Sequence, residues 1–370
     1  MGKRKVILLF AIGIISLCIL AAGISTLSNL SLPARPEGMN AISPIDKARL
    51  AETLRLKEAL GEEVWPSWGR MDIPIVLWTE EASFLIGYPF QPSGWEIVQD
   101  DTFSGQPYYW QETENHENFA VLIDDHWAAS MGTKWEADHF LISQFQEMFP
   151  SPIDKMIPYR LFIQPTEVQM TGVLHETFHV FQAISAPDKL ESAEDRYGIE
   201  EDYWEIDEQM GNDWKEEVNL LTQALDAKTD DELKGLVEKF LEQRQNRRTI
   251  HDLGRDMVDF ERLIEWEEGL AKYIEIAMWK KAFSSPGYQS TTEMAQDPDF
   301  HNYETFERRW RQEIMTMKNQ AIRQGDTRFY YTGMAQAFLL DRLMPDWKNR
   351  IMEENVWLDD LLMEAIGNHE

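Results

Sequence analysis

His175-Glu176-Thr177-Phe178-His179 brings together the residue types that metal-assisted hydrolysis needs, at the spacing it needs. Residues four apart on a helix project from one face, so both imidazoles can reach one metal ion. The glutamate between them is then placed to hold a water on that metal and take its proton. This is the HExxH pattern of zinc hydrolases. Two histidines leave the site incomplete, because a catalytic zinc usually takes three protein ligands and a water.

The third ligand does not come from the same segment. The longer pattern HExxHxxGxxH needs a glycine and a histidine where this chain has Gln182 and Ser185. The best source of a carboxylate is Trp266-Glu267-Glu268-Gly269-Leu270-Ala271-Lys272-Tyr273-Ile274-Glu275. One helical stripe there runs Leu263, Trp266, Leu270, Ile274, Ala277. A second runs Ile264, Glu268, Ala271, Glu275, Met278. The second stripe sets two acids seven apart in an otherwise apolar line, and buried acids need a partner such as a metal ion. Glu267, at the edge of the first stripe, is the alternative on periodicity alone.

HExxH followed on a later helix by E-G-x-x-x-Y-x-E resembles the gluzincin zinc metallopeptidases, especially the group of aminopeptidase N and leukotriene hydrolase. The resemblance implies a Zn2+ ion held by His175, His179 and Glu268, with Glu275 behind them orienting a ligand histidine. Tyr330-Tyr331-Thr332-Gly333 is similar to that group's Tyr-x-x-Gly, which implies Tyr330 as the hydrogen-bond donor to the oxyanion and Tyr331 as its substitute. The likeness covers roughly residues 160–345. Two departures qualify it. The interval from His179 to Glu268 is longer than in that group, which implies an inserted helical segment around Glu191–Gln245. The Gly-x-Met-Glu-Asn motif that captures a substrate's amino terminus is absent upstream. The expected activity is therefore hydrolysis of peptide bonds, with endo- or exo-cleavage left open. Two alternatives stay open beside it: a zinc-dependent amide or ester hydrolase acting on something other than peptides, and a non-catalytic anchored binding protein.

These residues need elements to hold them. A helix over Thr171–Ser185 puts Gly172, Gln182 and Ala183 on the histidine face, while Val173, Val180, Ile184, Leu174, Phe178 and Phe181 give it apolar flanks. Upstream, Ile75–Trp78, Phe84–Ile86, Phe119–Ile123 and Tyr159–Ile163 read as strands between turn residues, with a helix over Trp135–Phe149. Phe119–Ile123 is the candidate edge for pairing with an extended peptide. The aromatic tract Trp95–Trp110 reads as packing of that β-rich part. Ser43-Pro44-Ile45-Asp46 is a helix start, and the helix runs to about Leu60. Downstream, helices are expected over Glu200–Ala227, Asp231–Gln245, Thr249–Phe283, Tyr303–Ile322, Tyr331–Leu343 and Val356–Ile366. The mixed charges of Glu238–Arg248 read as a solvated helix face. The fold class is α+β: a zincin-like β-rich lobe (44–165), then a mainly helical zinc-metallopeptidase lobe (166–370). His251 and His301 lie in no motif, and His116, His126 and His139 lack ligand spacing.

Lys3-Arg4-Lys5 precedes a run from Val6 to Leu27 without a charged residue, long enough against the ~20 residues a helix needs to span a bilayer. Residues 1–27 are expected to be a transmembrane anchor, or a signal peptide cleaved near Ala21-Ala22-Gly23, and 28–43 a linker. Either way the basic end stays in the cytoplasm and the catalytic part faces outward, single-pass if anchored and secreted if cleaved. Cys18 is the only cysteine, so no disulfide forms within the chain. The chain is 43% hydrophobic with 14 Trp, 18 Phe and 11 Tyr, enough for a packed core. Its 65 acidic against 35 basic residues, a net charge of −30, argue against nucleic acid and anionic head groups as partners.

Overall fold

The computed structural model describes residues 20, 22–33, 41–113, 117–199, 203 and 208–367. The first part holds helix α1 (Pro44–Val64), strands β1 (Ile75–Trp78), β2 (Ala82–Ile86), β3 (Glu96–Ile97), β4 (Tyr109–Glu112), β5 (Phe119–Ile123) and β6 (His126–Gly132), and helix α2 (Lys134–Met148). Helices follow: α3 (Thr166–Ser185), α4 (Pro187–Arg196), α5 (Glu208–Asp226), α6 (Asp230–Ile250), α7 (Arg255–Ser284), α8 (Phe306–Gln320), α9 (Thr327–Leu343) and α10 (Leu358–Gly367). The strands form one mixed sheet in the order β3-β4-β2-β1-β6-β5, in which only β1 and β6 are parallel.

Strand alternation decides which way the sheet faces. Ile75 and Leu77 of β1 and Phe84 and Ile86 of β2 point to one face, where they pack with Val173 and Val180 of α3. Val76, Leu85 and Ala128 point to the other, which Trp95 and Tyr109 cover. The aromatic tract is therefore packing. The opposite flank of α3 (Met170, Leu174, Phe178, Phe181) enters the helical core with α7 and with Leu60, Trp65 and Trp68 around the end of α1. Trp65 meets Phe178 edge-on with ring centroids 4.8 Å apart, a geometry worth about 0.5–1.5 kcal/mol beyond area burial. Helix α3 thus lies between sheet and helices, with only the turn around Ser185 leaving the core; Ile184, expected in the apolar flank, is exposed.

Several expectations change. Tyr159–Ile163 is not a strand: Tyr159–Phe162 is a short 3-10 turn. Pro158 offers no backbone donor, and the Tyr159 N–H donates to the Asn29 side chain (2.8 Å), so no ladder starts there. Thr249–Phe283 is not one helix. α6 runs to Ile250, Asp252 adopts a positive φ, and Gly254 caps a new start at Arg255. The charged end of α6 is not a solvated face, because Arg244, Arg247 and Arg248 are buried. The HExxH helix begins earlier than expected, at Thr166, and the helix of the Tyr-x-x-Gly segment at Thr327. Of the helix expected over Glu200–Ala227, Glu208 onward is the part described, and His116 lies outside the described residues. Most of Val6–Leu27 lies outside them too. Residues 22–29 are helical, and among the described residues no helix is long and apolar enough to cross a membrane.

Candidate metal centre

Helix α3 carries His175 and His179 one turn apart, and α7 crosses it so that Glu268 faces both rings. One ligand atom from each of His175, His179 and Glu268 lies within 4.8 Å of the other two. The Glu268 Oε2 is 3.1 Å from His175 Nε2 and 3.6 Å from His179 Nε2. Those separations match the ~3.4 Å edge of a tetrahedron whose arms are the ~2.1 Å of zinc–ligand bonds. All three side chains are buried.

Each imidazole is held from behind. His175 Nδ1 is 2.8 Å from Glu275 Oε1, so an Nδ1–H donates there and Nε2 is left to face the cluster. The other Glu275 oxygen accepts from Lys272 Nζ at 2.7 Å. Burial alone would raise Glu275, but the Lys272 charge and the His175 hydrogen bond outweigh it and hold the carboxyl at about 2. His179 Nδ1 is 2.9 Å from Gln182 Oε1. The Gln182 amide is fixed in turn, since its Nε2 donates to the carbonyls of Trp266 (2.9 Å) and Glu267 (3.0 Å), which can only accept. Gln182 therefore ties one histidine of the cluster to the turn of α7 that bears Glu268. Neither Gln182 nor Lys272 had been assigned a role from the sequence. Their signal was present in their spacing, three residues after His179 and three before Glu275.

The residues fit a divalent cation. Burial would lower the His175 pKa, yet the Glu268 and Glu275 carboxylates raise it to about 10, so the pocket favours positive charge. Glu268 is pulled well below the usual carboxylate range: burial opposes this, and the neighbouring histidines prevail. Glu176 is buried in the same pocket, and its Oε2 has no hydrogen-bond partner. Burial pushes this carboxyl up to about 7, against the pull of His175 and His179. A buried acceptor left open beside a cation site is placed to engage a proton of a third party.

The paired alternatives separate. Glu267 is not part of the cluster; it is fully buried, and burial and the nearby Glu194 carboxyl push it well above the usual range. Tyr330 stacks on His175, with centroids 6.3 Å apart and planes 22° from parallel. Burial and then the Glu268 charge raise its phenol far above the ordinary value. Tyr331 instead lies under Lys272, the partner of Glu275. His251 pairs with Asp213 (2.7 Å), and His301 Nδ1 with the Asp299 carbonyl (2.9 Å). His126 pairs with Asp125, and His139 stacks on Trp135. None of these four histidines joins the cluster.

Two glycines set the crossing that makes this possible. A Cβ on Gly269 would lie 2.5 Å from Gly333 Cα, and one on Gly333 would strike the Glu265 carbonyl oxygen. The backbones of α7 and α9 therefore touch between the residue after Glu268 and the residue three after Tyr330. The Phe119 ring of β5 packs at 4.6 Å on His179, and among the described residues β5 is an edge strand paired only with β6. Compared with protein-family models, with curated proteins and with solved structures, the chain matches none.

Proposed function

We propose that this chain is a membrane-anchored, outward-facing zinc metallopeptidase whose ligands are His175, His179 and Glu268. The observation that carries the reading is the conjunction of three mutually close ligand atoms with the unpartnered Glu176 oxygen in the same buried pocket. A zinc ion bound there supplies a Lewis acid that brings the pKa of water toward ~7 and polarises a carbonyl.

The chain's own residues supply the rest. Glu176 accepts a proton from the attacking water and returns it to the leaving amine, and a carboxyl lifted to about 7 by burial suits both directions of that transfer near neutral pH. Tyr330, kept protonated beside Glu268, donates its hydroxyl hydrogen to the oxygen that becomes negative in the transition state. Glu275 and Gln182 hold the imidazole tautomers. The free edge of β5, next to His179, is where an extended peptide can add as a strand. That edge favours a peptide over other amides and esters.

The test is zinc content and peptide hydrolysis of purified full-length protein beside Glu176→Gln. The expected result is retained zinc with a rate lowered ~10²–10⁴-fold, the usual contribution of a general base. A Gln variant that keeps both zinc and full activity overturns the mechanism.

A further inference from the structure

The described N-terminal residues are fastened to one side of the body. The Asn29 side chain donates to the Ile157 carbonyl (2.8 Å) and accepts from the Tyr159 N–H (2.8 Å). The Trp135 indole donates to the Pro33 carbonyl (3.2 Å). Around this joint the surface is unusually apolar. Leu20, Ile24, Leu27 and Leu30, three or four residues apart, are all exposed. Phe140 (62% exposed) and Met148 (69%) of α2 and Leu161 (78%) of the 3-10 turn are exposed as well, as are Ile153 and Met156 in the segment that Asn29 holds. Phe145 of α2 packs on Phe162 with centroids 4.3 Å apart, which makes α2 and the 153–162 segment one surface.

Charge sets this face apart from the remaining surface. In a chain of net charge −30, residues 20–33 carry no charge at all. Residues 139–164 carry only Glu147, Asp154, Lys155 and Arg160, two of each sign. Arg160 is already paired with Asp299 (2.6 Å). Exposed apolar side chains gathered in joined segments that carry little charge mark an interaction surface. The occupant is indicated by the sequence that leads here: the uncharged run Val6–Leu27 ends in the described residues that expose Leu20, Ile24 and Leu27.

We propose that this face rests on the lipid bilayer, with Phe140, Met148 and Leu161 reaching the boundary between head groups and acyl chains. The proposal depends on reading Val6–Leu27 as inserted in that bilayer. The charge balance selects a zwitterionic surface, and the half-buried Trp135 at the joint is a residue type favoured at that depth. The membrane then fixes the orientation of the whole body. An anchor on a flexible tether would leave it free to tumble.

The experiment uses full-length protein in phosphatidylcholine vesicles, with Cys18→Ser and a single labelling site at Phe140→Cys, Met148→Cys or Leu161→Cys. Ile250→Cys, exposed on α6 of the helical lobe, is the control. A fluorophore at each site is read with and without lipids spin-labelled near the glycerol end of their chains, after flotation of the vesicles. Most of the emission should be lost at the three patch positions and none at the control. Protein that floats without quenching at the patch overturns the proposal and leaves the anchor standing. Cross-linking between copies at those cysteines in place of quenching makes the face a self-association surface and overturns it too. Protein that does not float overturns both the docking face and the anchor. Zinc content and the Glu176→Gln comparison are read separately, so loss of the peptidase reading has its own signature.

Discussion

Gln182 shows what a single side chain adds beyond its motif. The sequence uses it only to exclude a ligand histidine further along the helix, whereas in the fold it is the group that sets the His179 tautomer. Removing such a support typically costs ~10–100-fold in metal affinity. Gln182→Ala is therefore expected to weaken zinc by that range in a chelator competition, with the fold retained. Unchanged affinity would reduce Gln182 to a packing role. Glu268 and Glu267 give a sharper contrast. Glu268→Gln should leave the purified protein without stoichiometric zinc, while Glu267→Gln, which replaces a carboxyl that burial pushes well above the usual range, should keep it. Zinc lost from the second variant and kept in the first would move the ligand by one residue. That His175, His179 and Glu268 come together was legible, because metal chemistry restricts residue type and helical spacing tightly. Their supports were less so, because many residue types can offer one hydrogen bond.

At the level of elements, the glycines after Glu268 and Tyr330 turn out to be about packing. They were read as parts of two chemical motifs, and the structure shows them as the place where α7 and α9 touch. Alanine at 333 would gain up to ~1 kcal/mol of helix propensity, yet its methyl meets backbone that cannot rotate away. Overpacking of this kind costs about 1–3 kcal/mol. Gly333→Ala should therefore lower the denaturation midpoint. By shifting α9 it should also reduce kcat more than it raises KM, since the role proposed for Tyr330 is in the transition state. A variant as stable and as active as the parent would show that the crossing tolerates a methyl and that the glycines do not set Tyr330. Element boundaries failed where caps decided them. The break at His251–Gly254 depends on a positive φ at Asp252 and a glycine cap, signals that a continuous run of helix formers conceals.

Over the whole molecule, the helical part is organised around buried ion pairs that no local pattern reveals. Arg244, Arg247 and Arg248 continue the buried stripe Leu233, Val237, Phe240, Leu241 of α6, but their partners come from three other helices. Arg244 bonds Glu217 (2.7 Å) and both oxygens of Glu265 (2.8 and 2.6 Å), and Glu265 also accepts from Thr332 of α9 (2.6 Å). Arg247 and Arg248 share Glu261, and Arg248 reaches Asp359 of α10 (2.8 Å). Such a cluster fixes how α5, α6, α7, α9 and α10 meet, and so where Glu268 and Tyr330 stand. It also makes stability depend on acid. Burial would raise the Glu261 pKa, but the Arg247 and Arg248 charges hold it well below its unfolded value of 4.5. The unfolded chain therefore binds this proton first, and the contribution is complete above about pH 5 and lost as pH falls from there. Removing one partner of a buried pair costs about 3–5 kcal/mol. Glu261→Gln should thus be less stable by that much at pH 7, and its deficit relative to the parent should hold constant up to pH 8 and shrink between pH 5 and pH 3. Denaturant titrations across that range decide it: a deficit that does not change with pH would mean that Glu261 contributes shape to the core and not charge.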